Sequence, residues 1–350
     1  MRYLFAMPAV LALLCAAYAG AEPAAEEPDV LTMMGHDSTV VPEEVLAEFE
    51  ERYGARVRIL LAGDAGSALN RAILAKGNPL ADVLYGVDNA FLSRALEEGV
   101  FEAYEPAALA GIAPELRLDA SGHATPIDFG DVCVNYDITW FDEAGLAPPQ
   151  TLEDLANPAY ADLLVVENPA ASSPGLAFLL ATIGRFGDPG YLDYWRELQN
   201  NGVRVAPDWE TAYFAEFSGG TSAGDRPLVV SYGSSPPFEV IYAETPIEAP
   251  TTGVMVGNQS CFRQIEFAGI LAGTPRRELA ERWIDFMLET SFQASLPLNM
   301  FVFPVIADTP LAPEFERFLS IPERPAHVDP AAIAEHRERW IRQWREAMAQ

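Results

Sequence analysis

Lysine is all but missing from this sequence. Lys76 is the single lysine among 350 residues, and arginine supplies every other basic side chain. Together they number 22 against 51 acidic residues, a formal net charge of −29 at pH 7. Nucleic acid and anionic membrane are held by surface cations, so this balance excludes both as partners. It permits an acidic, self-repelling coat that keeps the chain soluble, and the same field would suit a cationic ligand. Histidine and cysteine are scarce too. The four histidines (His36, His123, His327, His336) are scattered without HExxH spacing, and the three cysteines form no CxxC pair or Cys/His cluster. A structural zinc site has no ligand set here. No Walker A loop or GxGxxG turn opens a helix, so the sequence requires no cofactor. Beyond its first residues the chain also lacks any apolar run long enough to span a bilayer.

The start of the chain is where such a run exists. Arg2 precedes a nearly unbroken apolar stretch over 4–17, followed by Ala17-Tyr18-Ala19 and Ala19-Gly20-Ala21. This is the layout of a secretory signal peptide over 1–21, too short to cross a bilayer comfortably. A lipoprotein anchor on Cys15 would want a small residue where Leu14 stands, so we expect a soluble, periplasmic or otherwise secreted mature chain. Cleavage leaves Cys133 and Cys261, which in an oxidising compartment either pair or remain two buried thiols. About 330 residues remain, half of the whole chain being apolar, which suits two lobes of ordinary size.

Strand and helix signals alternate. Residues 30–34 read as a buried strand, 42–53 as a helix stopped by Gly54, 56–61 as a strand, 67–76 as a helix closed by Gly77, 82–86 as a strand, and 90–98 as a helix ending at Gly99. That alternation predicts a parallel sheet covered on both faces. A long β run over 126–136 then suits a strand crossing between lobes. It is followed by a short helix over 152–156, a strand over 163–166, helices over 175–186 and 191–199, a strand over 228–232, and a second long β run over 260–271. Residues 277–296 read as one long helix stopped by Pro297, and the tail from 330 is amphipathic, with Ile333, Trp340, Ile341, Trp344 and Met348 on one face. Two α/β halves joined by crossing strands describe a hinged cleft. We divide the mature chain into lobe 1 (22–127 plus about 258–300) and lobe 2 (128–257 plus about 301–350), and read it as a monomer. The two crossing strands carry Cys133 and Cys261, so these cysteines are a candidate disulfide near the hinge.

Open α/β sheets bind ligands beyond the carboxyl ends of their strands. Three such turns are Gly35-His36-Asp37-Ser38-Thr39, Ala62-Gly63-Asp64-Ala65-Gly66-Ser67 and Gly86-Val87-Asp88-Asn89. Each ends in a good N-cap, and capping alone explains any one of them; their recurrence on one edge points to a site. Ser172 and Ser173 open another helix, where hydroxyls and free N–H groups either cap or meet an anion. Rings beside small polar residues occur at Trp209 and Tyr213, at Tyr232 with Ser235 and Phe238, and at Phe301 and Phe303. Such rings stack on flat heteroaromatics or cations, or pack lobe on lobe. Gly220-Thr221-Ser222-Ala223-Gly224 matches GxSxG, which makes a secreted serine hydrolase the rival outside the binding class. That motif works on a strained strand-to-helix elbow. Here a helix over 210–217 precedes it and a strand over 228–231 follows, so the match reads as chance and the protein as no enzyme.

In this order the turns resemble the thiamine-binding component of bacterial ABC importers, a family within the two-lobed, type II-like periplasmic solute-binding class. The resemblance runs from about Val30 to Met348. It is carried by Asp37-Ser38, Asp64 with Ser67-Ala68-Leu69-Asn70-Arg71, Ala81-Asp82-Val83, Gly86-Val87-Asp88-Asn89, Pro126-Ile127-Asp128-Phe129-Gly130, Ser173-Pro174-Gly175-Leu176, Ser231-Tyr232, Phe303-Pro304 and Trp340-Ile341-Arg342-Gln343-Trp344. It implies thiamine or a thiamine phosphate as ligand and the importer's permease subunits as partners. By position, Tyr232, Phe238 and Phe301 would contact the ring; Ser172, Ser173, Trp209 and Tyr232, with Ser235 nearby, would lie toward the phosphate or hydroxyethyl end; Asp37, Ser38, Asp64 and Ser67 would line the first lobe's edge. His36 stands where a tyrosine is usual, and Phe238 and Phe301 replace Tyr- and Trp-like positions, losing their polar handles. Ferric ion, a polyamine or an organic anion are the alternative solutes. Tyr232 has no tyrosine beside it, which counts against iron.

Overall fold

The computed structural model describes residues 29–220 and 222–349, so the signal-peptide reading and Cys15 lie outside the described residues. Eleven strands are present: β1 (Asp29–Gly35), β2 (Ala55–Leu61), β3 (Val83–Asp88), β4 (Phe101–Glu102), β5 (Thr125–Asp137), β6 (Leu164–Glu167), β7 (Arg204–Ala206), β8 (Leu228–Tyr232), β9 (Thr252–Met255), β10 (Phe262–Leu271) and β11 (Phe303–Pro304). Their hydrogen-bonded order is β2-β1-β3-β10-β5-β8-β6-β7, with β4 on β10 and with β9 and β11 on β5. On one side β1 pairs in parallel with β2 and β3; on the other β6 pairs in parallel with β7 and β8. Helices cover both, which is why β3, β6 and β8 are buried along their whole length and mainly apolar, with polar Asp88, Glu167 and Ser231 toward their carboxyl ends. These are the two α/β halves, each with parallel strands covered by helices, that the alternation predicts.

The two long strands join the halves. β5 and β10 run antiparallel, with Phe262 opposite Val132 and Ile265 opposite Phe129, while β5 extends to pair with β8 and β10 with β3. One step beyond Phe262–Val132, Cys261 faces Cys133. Their Cα atoms are 4.4 Å apart and a disulfide joins them. That spacing is the one expected where directly opposed antiparallel residues do not exchange hydrogen bonds.

One expected helix is divided. The segment read as one helix over 277–296 is two, Arg277–Met287 and Thr290–Met300, with extended backbone at Glu289 and Pro297 inside the second. The break is held by Gln293. Its buried amide donates to the carbonyl of Met287, at the end of the first helix (2.8 Å), and to that of Ile127 in β5 (2.9 Å). Around Pro297, which cannot donate, side chains take up backbone carbonyls: Ser295 bonds that of Phe292 and Asn299 that of Ser295. The C-terminal helix Pro330–Met348 buries Ile333, Trp340, Ile341 and Trp344, and Trp344 meets Trp195 of the helix Gly190–Asn200 edge-on at 5.6 Å. Arg337 on the same helix reaches the other way, its guanidinium 5.0 Å from the Phe91 ring. No helix among the described residues is long and apolar enough to cross a membrane.

The Cys133–Cys261 bridge closes a loop spanning 128 residues, for which chain entropy allows about 4–5 kcal/mol of stabilisation. Intact-mass measurement of unfolded, unreduced protein should show neither of these thiols alkylated. Cys133→Ser should lower the denaturation midpoint; two alkylated thiols before reduction would remove the bridge from this account.

Candidate functional site

The turns after β1, β2, β6 and β7 meet the end of β8 and the strand β10, and a cavity of about 220 Å³ opens there. Its lining includes His36, Asp37, Ser38, Asp64, Ser173, Trp209, Tyr232, Glu266 and Phe301. A second chamber of about 260 Å³ adjoins it, shares His36, Asp37, Ser38, Asp64, Trp209 and Glu210, and adds Ser67, Ala171 and Asp208. Across the cleft the walls touch: the Ser38 hydroxyl donates to Glu210 at 3.3 Å, and the Gly66 N–H donates to the Ala171 carbonyl at 3.3 Å. A Cβ at Gly66 would lie 3.1 Å from that carbonyl oxygen and 3.0 Å from the Phe91 ring, so the close approach needs glycine.

Local sequence sets these positions. Asp64 caps the helix Ala65–Leu74 by accepting from Ala65 N–H, and Asp37 turns back to accept from Gly63 N–H at 2.8 Å. Ser172 caps the helix Ser173–Phe186. Trp209 is fixed from three sides. Its indole N–H donates to Ser231 at 3.0 Å, Tyr213 stacks on it at 5.3 Å, and Phe301 meets it edge-on at 5.9 Å. Phe301 itself has φ 61°, a left-handed conformation costly for a bulky residue. The Ser234 hydroxyl, bonded to the Phe301 carbonyl, and the Phe238 ring, stacked on it with centroids 3.4 Å apart, hold it there.

Of the residues expected to bind, Asp37, Ser38, Asp64, Ser67, Ser173, Trp209, Tyr232 and Phe301 line one chamber or both. Three stand behind the lining. Ser172 is consumed as a cap, Ser235 shares a hydrogen bond with Ser231 at 3.2 Å beneath Trp209, and Phe238 spends its face on Phe301. His36, placed in the first turn but not among the expected contacts, lines the cavity too, and sequence reasoning did not select Glu210, Phe214, Glu266, Asn299 and Met300. For Glu266 a signal existed: with Arg263 and Gln264 it is one of three polar residues in a strand that is otherwise apolar, and a buried polar group of that kind is informative.

The charged lining is one-sided. Asp37, Asp64, Asp208, Glu210 and Glu266 contribute carboxyls, His36 is the sole basic type, and neither chamber has a lysine or arginine among its described residues. His36 lies over Gly86, where a Cβ would come within 2.5 Å of the ring, and its Nε2 is 3.6 Å from Glu266. Burial would lower the His36 pKa, but Glu266, with Asp64 and Asp37, outweighs it and raises it. Burial raises Asp64 against the opposing pull of His36. Deeper still, Tyr85 donates to Asp128 at 2.5 Å, and burial with the nearby Glu266 lifts the Asp128 carboxyl well above the usual range. Burial does the same to Glu167. Ser222, of the GxSxG run, donates to the Gly219 carbonyl at 2.7 Å on a loop between a π-helix (Thr211–Glu216) and β8, with no strand-to-helix elbow.

A cleft between two α/β halves, walled by rings and carboxyls, defines a protein that captures a small solute. The family described as bacterial extracellular solute-binding protein matches residues 78–335, and the chain belongs to it. The chain is 28% identical to a thiamine-binding periplasmic protein of Escherichia coli K12, over 97% of this chain and 98% of that one. It is also 28% identical to one of Brucella suis biovar 1, over 93% and 94%. Among solved structures it is similar to a periplasmic thiamin binding protein, with TM-score 0.80, 26% identity, and coverage of 93% of this chain and 98% of that one.

Asp88, at the end of β3, gives a titration test. Its Oδ1 accepts from Ala90 and Phe91 N–H at 2.7 and 3.0 Å, while burial, with Glu266 adding, pushes its pKa up to about 6. A carboxyl raised on folding holds a proton that the unfolded chain has released. Its contribution is therefore greatest at low pH and is lost as pH rises from about 4 to 6, by about 3 kcal/mol. Asp88→Asn keeps the capping oxygen, so urea denaturation from pH 4.5 to 7 should show a flatter decline than the wild type. Equal slopes would refute the assignment.

Proposed function

We propose that this protein is an extracytoplasmic carrier that closes its two lobes on thiamine, or a thiamine phosphate, and hands it to the membrane subunits of an ABC importer. The observation that carries the reading is the pairing of an aromatic wall with a lining whose formal charges are carboxyls. Thiamine is an aminopyrimidine joined to a permanently cationic thiazolium that bears a hydroxyethyl tail. Trp209, Tyr232 and Phe301 offer faces to a flat ring, and Asp37, Asp64, Asp208 and Glu210 offer negative charge to the cation. A phosphate on the tail would meet the start of the helix Ser173–Phe186, where the Ser173 hydroxyl has no partner. The names of the relatives support the same ligand.

The lobes in this reading are 22–127 with about 258–300 and 128–257 with about 301–350. Packing of the C-terminal helix on Gly190–Asn200 supports placing the tail in the second. Iron fits less well. Tyr232 is the one tyrosine among the described cavity residues, its hydroxyl accepts from Gln264 at 3.1 Å, and no group of three or more His, Cys, Asp or Glu among the described residues is arranged to hold a metal ion.

Titration of purified protein with thiamine should quench tryptophan emission through Trp209, with a Kd of about 1 μM or tighter. Unchanged emission and no heat at millimolar thiamine would defeat the vitamin assignment. Trp209→Ala and Phe301→Ala should each weaken binding by about 1–3 kcal/mol while the fold persists. Retained affinity in both variants would move the ligand away from this wall.

A further inference from the structure

Glu266 sits on β10 in the middle of the sheet, 3% exposed, yet it lines the cavity. Its Oε1 accepts from the Gln264 amide at 2.7 Å. Its Oε2 has no hydrogen-bond partner; it faces His36 Nε2 at 3.6 Å, an ion-pair distance longer than a hydrogen bond. The hydroxyls around it are engaged, Tyr85 on Asp128 and Tyr232 with Gln264, and although Asp128 Oδ1 and Gln264 Oε1 also lack partners, neither of those residues lines the cavity as Glu266 does. A buried acceptor left unpaired is costly, and the cost is recovered when a donor arrives. The protein thus holds a fixed acceptor, oriented by Gln264, on the wall of the chamber whose other sides are Trp209, Tyr232 and Phe301.

We propose that Glu266 is the specificity-determining residue of this cleft, accepting an N–H from the edge of an amino-substituted nitrogen heteroaromatic seated among those rings. This rests on the proposed function and adds an orientation to it. A permanent ring cation such as thiazolium carries no N–H and cannot satisfy Oε2. It can be neutralised in the outer chamber, where Asp37 and Glu210 are exposed. The amino group of a pyrimidine, beside a ring nitrogen, offers the donor that the deep site lacks. The aminopyrimidine therefore enters first, and the cationic ring stays toward the cleft mouth.

Calorimetry with thiamine and with the analogue whose pyrimidine amino group is replaced by oxygen tests this directly. Wild-type protein should bind thiamine at least about tenfold more tightly than the oxo analogue, and Glu266→Gln should weaken thiamine about 10- to 100-fold. The same substitution should leave the oxo analogue within about threefold, because Gln can donate to its oxygen. Equal wild-type affinity for the two ligands would overturn the inference, and so would equal losses for both in Glu266→Gln; in either case thiamine binding itself would stand. No thiamine binding by the wild type would instead remove the proposed function and this inference with it. The wild-type comparison needs no variant to fold, and a thermal melt of Glu266→Gln shows whether its affinities refer to native protein.

Discussion

The antiparallel pairing of β5 with β10 is the constraint on which the rest of this molecule depends. Through it the parallel strands of one half are joined to those of the other in a single hydrogen-bonded order. The same register places Cys133 opposite Cys261 and Glu266 opposite Asp128. Side chains alternate along a strand, so a slip of one residue would turn Glu266 away from the cavity and separate the cysteines. The covalent bridge therefore reinforces the register that the site needs, at the end of the β5–β10 ladder.

Charge is the second theme, and the protein manages it by burial. Five lining carboxyls converge on the cleft, from buried Glu266 to exposed Asp37 and Glu210, with no arginine or lysine among the described lining residues to offset them. Ionised groups so placed repel one another and lose hydration. Behind the lining the conflict is eased by protons: the environments of Asp128 and Glu167 favour the neutral form. What remains is a negative field focused at a cleft, in a chain already strongly acidic, which favours encounter with a cation over an anion.

The aromatic wall shows how much structure stands behind a few contact atoms. Phe301 keeps its left-handed backbone because Ser234 and Phe238 hold it, and Trp209 keeps its plane because Ser231 and Tyr213 do. Phe238 and Ser235, plausible ligand contacts by position, thus serve by fixing residues that reach the cavity. Rings fixed before binding lose less freedom when a ligand stacks on them.

The alternation of strands and helices, the turns at strand ends and the amphipathic tail were legible because each is set by neighbours within a few residues. Ser172, read as either a cap or an anion contact, is a cap, and Asp64, read as lining the first lobe's edge, caps a helix that starts two residues earlier than expected. The single helix over 277–296 was misread because its break depends on Gln293 reaching Ile127 in β5, far away in sequence. The cavity was legible only in part for the same reason. Residues near 36, 64, 173, 209, 232, 266 and 301 meet in it, brought together by strand order and register. The resemblance of ordered turns pointed to several of them, but neither pattern nor spacing could reveal that Phe238 would face Phe301 or that Glu266 would be left with an unpaired oxygen. The sequence by itself determined the compartment signals, the acidic field and the α/β halves, because composition and local periodicity encode them. Which side chains face the solute was decided by the tertiary structure alone, because the pairing of β5 with β10 sets which face of each strand is buried against the cleft.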